Sequence, residues 1–323
     1  MTKSSVFVTM FDGNYLPQAL AMATSLKMFL PEAMIAGVFL GSDSTEIENL
    51  TCFDRVFSEK EIALEFPELE LAKTSRSRVE FIFTLTPHVV EFAKRTLECS
   101  EVVYLDADLF FFSNPSKYLS PNTDHVACVV TPHSHLGRNK RLAKYGTFNV
   151  GWVGFNFNAG GQKVLDFWRE ACLEWCHDYA DSGRYADQGY LDWFPNLGVK
   201  TWIVDDGSLN LGPWSRMTAR ISPGSDSPLV GDAPLVCYHF QGMQIRGRVF
   251  LPYLWSYRRV FSGNLKRLVY QPYLDFLSEL GVLKFISQKR IRNTSGRLSV
   301  LDRVTPLVSV VLGQSLLILK NRR

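Results

Sequence analysis

The sequence predicts an α/β protein in which helices flank a mostly parallel β-sheet, and two observations support this fold class. Short uncharged runs rich in β-branched and aromatic residues alternate with segments whose apolar residues recur every three or four positions. This alternation is typical of parallel strands joined by helical crossovers. The chain has 323 residues, of which 46% are hydrophobic, so it can bury a sizeable core. The composition changes near the C-terminus, where a basic segment begins.

The first half of the chain contains the clearest alternation. A helix is predicted after the first strand and ends at Pro31, and a longer helix with an interruption at Pro87 precedes the strand that ends in Asp106. The predicted elements up to this point are strands over 6–10, 35–40 and 102–105 and near Val56, and helices over 16–30 and 79–97. Beyond Asp108 they are strands over 126–131, 148–155, 199–204 and 235–240, helices over 164–177 and from 185 onward, and a surface loop over 222–234.

The C-terminal segment differs from the rest of the chain in charge. Residues 281–323 contain nine basic residues against one acid, Asp302, although the whole chain carries a net charge of only +3. A basic tail indicates an anionic partner surface. We therefore predict a main domain over 1–250 and a helical, basic and apolar extension over 251–323. The apolar stretch 304–319 is interpreted either as a helix packed on the main domain or as a peripheral membrane anchor.

The N-terminal sequence and the cysteines bear on location. Residues 1–6 show no charged-then-apolar leader, and no run of 18 apolar residues occurs, so neither a secretory signal nor a membrane span is expected. Six cysteines are present without a Cys-x-x-Cys pair, which indicates neutral thiols of a reducing compartment rather than a zinc site. The expected location is the cytoplasm, either free or at the cytoplasmic face of the membrane.

Two carboxylates follow the apolar run over 102–105. Asp106 and Asp108 are separated by one alanine, and the strand before them would place both at the carboxyl edge of the sheet, where ligands bind in open α/β folds. Two close carboxylates do not both stay charged unless a cation neutralises them. A divalent metal does so and also binds a diphosphate. The alternative is an ordinary turn or helix N-cap, in which Asp is also common.

A late predicted strand over 235–240 delivers a histidine to a turn that ends at Gly242. A histidine in apolar company is most often a core residue, but beside two carboxylates the imidazole of His239 suits Mn²⁺ better than Mg²⁺. Arg246 and Arg248 follow within ten residues, and their guanidinium groups could reach phosphate oxygens.

Three further motifs combine residues suited to sugar or phosphate. Asp187 and Gln188 begin a predicted helix, where they either cap it or hydrogen-bond to sugar hydroxyls. Asn149 heads a strand that contains two glycines, and such glycines indicate close approach of a backbone or a ligand. Arg76 and Arg78 begin the helix before the Asp-x-Asp strand, where they are either solvated or bind phosphate.

In this order the motifs resemble those of nucleotide-sugar glycosyltransferases with the GT-A fold, most of all glycosyltransferase family 8 and its bacterial relatives. The resemblance spans residues 5–245. The matching features are a first strand and turn ending at Tyr15, a helix from Arg78, Tyr104-Leu-Asp-Ala-Asp, Asn149-Val-Gly, Asp187-Gln188 and His239-Phe-x-Gly. The family commonly follows its histidine with Gly-x-Lys-Pro-Trp, and here the lysine is missing, so Arg246 or Arg248 would replace it.

The resemblance implies a Rossmann-like GT-A sheet, a UDP-sugar donor and Mn²⁺, with Mg²⁺ as an alternative cation. It also implies roles for individual residues, by their match to the family's motifs. The expected groups are the metal ligands Asp106, Asp108 and His239; the donor-binding residues Thr9, Asp12, Tyr15, Asp106 and Arg246; and the catalytic residues Asp187, Gln188 and Arg78.

The predicted function is a metal-dependent glycosyltransferase of the hexosyltransferase type. It would move a sugar from a UDP-sugar to a glycan or lipid-linked acceptor with retention of configuration. Retaining glycosidases use a pair of carboxylates, and here Asp187 is the one candidate for the second carboxylate, so same-face attack by the acceptor is favoured over a covalent intermediate. A non-catalytic nucleotide-sugar-binding protein and a sugar nucleotidyltransferase are the alternatives, although residues 9–15 lack the glycine-rich loop of the latter. Peripheral membrane contact through the basic C-terminus is expected, and a nucleic-acid partner is not.

Overall fold

Seven strands form the central sheet of the computed structural model, which describes residues 5–41, 50–120, 122–134, 142–246, 249–252, 254–257, 261–282 and 316–317. The strand order is β3-β2-β1-β4-β7-β6-β8. These strands are β1 (Val6–Phe11), β2 (Met34–Phe39), β3 (Arg55–Ser58), β4 (Glu101–Leu105), β6 (Cys128–Pro132), β7 (Phe148–Asn156) and β8 (Thr201–Ile203). A short strand, β5 (Leu109–Phe111), lies outside this sheet.

The central sheet is mostly parallel, as the sequence predicts. Strand β1 pairs in parallel with β2 on one side and with β4 on the other, whereas β7 runs antiparallel to both β4 and β6. The chain therefore leaves β1 toward one side of the sheet and later returns to its other side. Such a change of direction opens a crevice at the carboxyl ends of the two strands, which is where open α/β sheets bind ligands.

Helices cover the sheet, and the longest of them packs directly beside β1 and β4. Ser77 and Glu80 form a capping box at its start, and its buried face includes Phe81, Leu85 and Val89. The predicted interruption at Pro87 is wrong, because the helix continues through it; burial of the apolar face outweighs the local cost of proline. The helices are α1 (Leu16–Phe29), α2 (Glu59–Glu65), α3 (Leu69–Ser75), α4 (Arg78–Leu97), α5 (Gly161–Glu174), α6 (Gly263–Leu265) and α7 (Gln271–Glu279).

The last described helices pack on the same body as the sheet. A π-helical turn, Lys266–Tyr270, joins α6 to α7, and Tyr273 stacks on Phe240 with ring centroids 3.8 Å apart. Phe110 contributes to the same apolar cluster. The predicted boundary at residue 250 stays a prediction, but residues 261–282 share a core with strands from the main domain.

Short strands complete the fold. The segment 222–234, predicted as a surface loop, takes part in a small antiparallel sheet that begins at Ile221, because the apolar residues Ile221 and Val230 are buried. The short strands are β9 (Ile221–Ser222), β10 (Leu229–Val230), β11 (Ala233–Pro234), β12 (Cys237–His239), β13 (Gln244–Arg246), β14 (Val249–Leu251) and β15 (Leu316–Leu317).

Beyond residue 282, the described part of the predicted extension is β15. This strand pairs antiparallel with β14, so residues 316–317 are extended rather than helical. The rest of the basic tail, 283–315 and 318–323, lies outside the described residues. Among the residues that the structure describes, no helix has both the length and the apolar character needed to cross a membrane.

Candidate active site

The Asp-x-Asp motif lies in a tight turn between β4 and β5. The backbone N–H of Asp106 donates to the carbonyl of Gly151 on β7 at 3.0 Å, and the N–H of Leu109 donates back to the Asp106 carbonyl at 3.2 Å. Strand β4 therefore delivers both carboxylates to the carboxyl edge of the sheet, as predicted. The turn also reverses the chain, so that β5 can pair with a strand from much later in the sequence.

That later strand is β12, and its pairing with β5 brings His239 to the two aspartates. The register places His239 opposite Leu109. The imidazole Nε2 lies 2.9 Å from Asp108 Oδ1 and 3.6 Å from Asp106 Oδ2. One candidate ligand atom from each of the three residues lies within 4.8 Å of the others. The structure thus brings together all three residues predicted to hold a metal.

The charges in this cluster are poorly compensated by the protein alone. Partial burial raises the pKa of Asp106 to about 6, and the nearby charge of Asp108 acts in the same direction, while His239 opposes both. Burial lowers the pKa of His239, but the charge and hydrogen bond of Asp108 outweigh burial and raise it overall. Two carboxylates and one imidazole are a suitable donor set for a divalent cation, and a bound cation would favour their deprotonated forms.

A set of buried polar side chains lies behind the imidazole. Asn210 Oδ1 is 3.1 Å from His239 Nδ1, and Asn210 Nδ2 is 2.8 Å from Thr131 Oγ1 and 2.9 Å from Asn149 Oδ1. Asn149 in turn has its Nδ2 3.0 Å from Gln188 Oε1. We call Gln188, Asn149, Asn210 and His239 the amide chain. It connects the predicted sugar side of the site to the predicted metal ligand.

The two glycines of β7 have different surroundings. A Cβ on Gly151 would lie 2.5 Å from both Asn210 Oδ1 and His239 Nδ1, whereas a Cβ on Gly154 would meet Val129 at an ordinary 3.4 Å. The predicted close approach is therefore confirmed at Gly151, where the backbone lies against the amide chain.

Asp187 and Gln188 stand at the start of a 3₁₀ helix, Gln188–Asn196. Burial raises the pKa of Asp187 to about 7; a hydrogen bond from the Thr86 hydroxyl opposes this rise, and the charge of Asp106 adds to it. Gln188 Nε2 donates to the Tyr145 carbonyl at 2.7 Å, so its amide is held in one orientation.

The residues predicted to contact the nucleobase lie at the first strand and turn. Thr9 is buried within β1, and its hydroxyl finds no hydrogen-bond partner among the described residues. The carboxylate of Asp12 accepts hydrogen bonds from the backbone N–H groups of Asn14 at 2.8 Å and Tyr15 at 3.1 Å. Tyr15 is exposed. Their role in nucleobase binding stays a prediction.

The predicted phosphate-binding arginines have other partners or undescribed side chains. Arg78 donates to Glu59 at 2.6 Å and to the Leu40 carbonyl at 3.3 Å. Arg76 donates to the carbonyls of Cys172 and Leu173 at the end of α5. Arg248 and the side chain of Arg246 lie outside the described residues.

Sequence reasoning assigned no role to several residues that surround Asp106, Asp108 and His239. Asn210 comes from a loop without periodicity. Trp214 packs edge-on against His239 with ring centroids 5.0 Å apart, and Tyr104 donates its hydroxyl to Asp106 at 3.1 Å. The one signal in the sequence was Tyr104, which precedes Asp106 by two positions and therefore points to the same face of its strand.

Comparisons with known proteins agree with this fold. No protein-family model matches the chain. The uncharacterized protein YfnF of Bacillus subtilis is 26% identical over 250 residues, which span 75% of this chain and 82% of YfnF.

Among solved structures, the galactosyltransferase LgtC in complex with donor and acceptor sugar analogues superposes with a TM-score of 0.50 at 14% identity, over 84% of this chain and 95% of LgtC. The glycosyltransferase GlyE of Streptococcus pneumoniae gives a TM-score of 0.51 at 13% identity, over 92% of this chain and 67% of GlyE. At such identity the likeness shows the fold. The chain has the GT-A fold, as its sequence predicts.

Proposed function

We propose that this chain is a glycosyltransferase that uses a divalent cation, with Mn²⁺ preferred over Mg²⁺, to transfer a sugar from a UDP-sugar to a glycan or lipid-linked acceptor. The observation that carries the proposal is the convergence of Asp106, Asp108 and His239 at the carboxyl edge of a GT-A sheet. Fold alone does not determine function. A cluster of the half-buried Asp106 with the buried Asp108 and His239 at the ligand-binding edge supports binding of a divalent cation.

The chemistry follows from where charge develops. When the bond between sugar and diphosphate breaks, negative charge grows on the leaving phosphate, and a bound cation stabilises that charge. Asp106, Asp108 and His239 would hold the cation. The contribution of the chain is to keep these ligands in place before the donor arrives, because preorganised groups do not have to reorient during the reaction.

The sugar side of the site favours retention by same-face attack. Asp187 is buried and hydrogen-bonded by Thr86, which suits a positioning or electrostatic role better than that of a nucleophile. The Gln188 amide is fixed by Tyr145 and Asn149 and is suited to hydrogen-bond a sugar hydroxyl. An acceptor hydroxyl would then attack from the side that the leaving diphosphate vacates.

The experiment is calorimetric titration of the full chain with UDP, with and without Mn²⁺. Wild type should bind UDP only when Mn²⁺ is present. Asp108→Asn and His239→Ala should each weaken that binding by on the order of 100-fold, because each removes a direct ligand. Asp226→Asn and His125→Ala are matched controls on exposed residues and should bind like wild type. UDP binding that ignores Mn²⁺, or normal binding by both site variants, would contradict the proposal.

Catalysis is tested separately. Mn²⁺-dependent hydrolysis of a panel of UDP-sugars distinguishes an enzyme from a non-catalytic binding protein. Conversion of a UDP-sugar and pyrophosphate to UTP would instead identify a sugar nucleotidyltransferase.

The basic tail supports a second, weaker element of the proposal, which is contact with an anionic membrane from the cytoplasm. Deletion of residues 296–323 should reduce binding to anionic vesicles and leave donor hydrolysis unchanged. Equal vesicle binding with and without the tail would reject it.

A further inference from the structure

We propose that Asn210 is a positioning residue that fixes the tautomer of His239, so that the imidazole carries its proton on Nδ1 and presents the Nε2 lone pair to the cation. This inference rests on the proposed function and goes beyond it, because Asn210 lies outside the motifs that define the site. The hydrogen-bond pattern, followed from two backbone groups, determines which atom of each amide is oxygen and which is nitrogen.

The first backbone group is the N–H of Gly151. It lies 2.9 Å from Asn149 Oδ1, and because a backbone N–H can only donate, the atom of Asn149 that faces it is the oxygen. The Asn210 atom 2.9 Å from that oxygen is then the amide nitrogen. The remaining Asn210 oxygen faces His239 Nδ1 at 3.1 Å, so Nδ1 must carry a proton.

The second backbone group is the carbonyl of Tyr145, at the other end of the amide chain. A carbonyl can only accept, so the Gln188 atom 2.7 Å from it is the amide nitrogen. The Gln188 oxygen then accepts from the Asn149 nitrogen at 3.0 Å. This gives Asn149 the same orientation as the Gly151 contact does. The two backbone groups independently give the same direction for every hydrogen bond in the amide chain.

The backbone around Asn210 shows that this contact is built into the fold. Asn210 is buried and has a φ of 54°, in the left-handed region that costs a residue with a side chain about 1 kcal/mol and that asparagine tolerates best. Gly151 leaves room for the contact, because a Cβ there would overlap Asn210 Oδ1 and His239 Nδ1. The positive φ of Asn210 and the absence of a side chain at Gly151 thus both serve the hydrogen bond between Asn210 and His239.

The chemical consequence concerns the second nitrogen of the ring. A histidine ligand whose other N–H is held by an acceptor keeps one tautomer and one ring orientation, and loss of that acceptor typically weakens metal binding by ~10- to 100-fold. Since the same amide chain reaches Gln188, the residue that orients the ring is also linked to the sugar side of the site.

The test compares Asn210→Gly and Asn210→Asp with wild type. Glycine accepts the left-handed backbone and removes the acceptor, whereas aspartate keeps an acceptor for Nδ1–H. Ser182→Gly, at another positive-φ residue that is exposed, is the control for backbone relief. The measurements are Mn²⁺ binding in the presence of UDP, followed by electron paramagnetic resonance, and the melting temperature of each variant.

We expect both variants to stay folded, with melting temperatures below that of wild type because buried partners of the Asn210 amide are left unpaired. Asn210→Gly should bind Mn²⁺ ~10- to 100-fold more weakly than wild type, and Asn210→Asp, which keeps an acceptor for Nδ1–H, should bind it more tightly than Asn210→Gly. Equal affinity of Asn210→Gly and wild type overturns this inference alone. Wild type that takes up no Mn²⁺ with UDP overturns the proposed function and this inference with it.

A spectroscopic measurement on wild type does not depend on the variants folding. In the complex with UDP and diamagnetic Mg²⁺, ¹⁵N NMR of protein labelled at histidine should show the His239 proton on Nδ1. A proton on Nε2 in that complex overturns the inference.

Discussion

Two regions at the carboxyl edge of the sheet differ in how well the protein itself neutralises their charges. We call the region of Asp106, Asp108, Asp187 and His239 the cation side, and the region of Asp12 and Arg78 the first-turn side. At the cation side, burial raises the pKa values of Asp106 and Asp187; the charge of Asp108 adds to the rise at Asp106 and the charge of Asp106 to the rise at Asp187, while His239 opposes the rise at Asp106. At the first-turn side, Asp12 accepts hydrogen bonds from its own turn, and Arg78 pairs with Glu59. Charge remains uncompensated on one side and is matched on the other.

The difference indicates which side needs a ligand to be complete. Groups whose pKa values are pushed away from their ordinary range by burial and like charge are typical of functional sites. The raised pKa values of Asp106 and Asp187 mark the cation side in this way. Asp12 and Arg78 have structural partners already, so any role that these two residues have in donor binding must compete with those partners.

The largest expected effect comes from filling the space at Gly151. Gly151→Ala would push against His239 and Asn210, so it should destabilise the fold by about 1–3 kcal/mol and abolish Mn²⁺-dependent UDP binding. Gly154→Ala on the same strand is the control, because its Cβ meets only ordinary contacts. Calorimetry and thermal unfolding of both variants measure the difference. Normal UDP binding by Gly151→Ala would contradict the prediction, because it would mean that cation binding does not depend on the present position of the His239 imidazole.

The second effect is the pH dependence of cation binding. The pKa of Asp106 is about 6 and that of His239 is raised, so protons compete with the cation for the same atoms as the pH falls. Because the pKa of His239 is raised from its ordinary value of 6.5, the affinity for Mn²⁺ should begin to fall above pH 6, by on the order of tenfold per pH unit. Below about pH 6 two protons compete, and the loss should approach ~100-fold per pH unit.

Calorimetry with Mn²⁺ alone at several pH values measures this dependence without the titration of UDP. Affinity that stays constant between pH 5 and pH 8 would contradict the view that Asp106 and His239 bind the cation.

The three predicted metal ligands of the cation side could be found from the sequence. Asp106 and Asp108 were found because an apolar strand leads directly into them, and His239 because a second strand ends at it. Their meeting depends on the pairing of β5 with β12, across more than 120 residues, and no local pattern specifies that register. The resemblance to a family supplied the connection that periodicity could not.

The rest of the site depends on tertiary contacts. Asn210 lies in an irregular loop, and its position is set by the bridge between Leu211 and Tyr238. The sequence around it, with Asp206-Gly207 before it and Gly212-Pro213 after it, indicates an irregular loop but does not indicate that Asn210 faces the site. Similarly, Arg76 and Arg78 are two positions apart, yet one binds carbonyls of α5 and the other Glu59. Which arginine faces a ligand is a property of packing that spacing does not reveal.

The third effect is the pH dependence of stability at Asp187, which precedes the 3₁₀ helix Gln188–Asn196. The pKa of Asp187 is raised to about 7, so between about pH 4 and pH 7 the native state holds a proton that the unfolded chain has lost. The free energy of unfolding therefore falls as the pH rises through this range and stays low above it. Asp187→Asn should be more stable than wild type at pH 8 by on the order of 1–3 kcal/mol and equal to it at pH 4, while its turnover falls.

Asp192→Asn is the matched control for this substitution. The Asp192 carboxylate accepts hydrogen bonds from the Thr147 N–H at 2.8 Å and from the Thr147 hydroxyl at 3.0 Å, so its amide variant should lose stability at pH 8. Denaturant unfolding at both pH values measures each change. A lower stability of Asp187→Asn at pH 8 would show that the buried carboxylate is well satisfied, which removes the contrast between the two sides.

The smallest effect belongs to the first-turn side and decides whether that side serves the donor at all. Arg78 and Lys73 both pair with Glu59, at 2.6 and 3.4 Å, and their side chains are 48% and 46% exposed, so alanine at either position should change stability by less than about 1 kcal/mol. If Arg78 also reaches the diphosphate, Arg78→Ala should raise the KM for the donor by about five- to tenfold, through loss of a charged hydrogen bond. Lys73→Ala should leave that KM unchanged. Equal KM values in the two variants would mean that Arg78 only neutralises Glu59, and donor binding would then depend on the cation side.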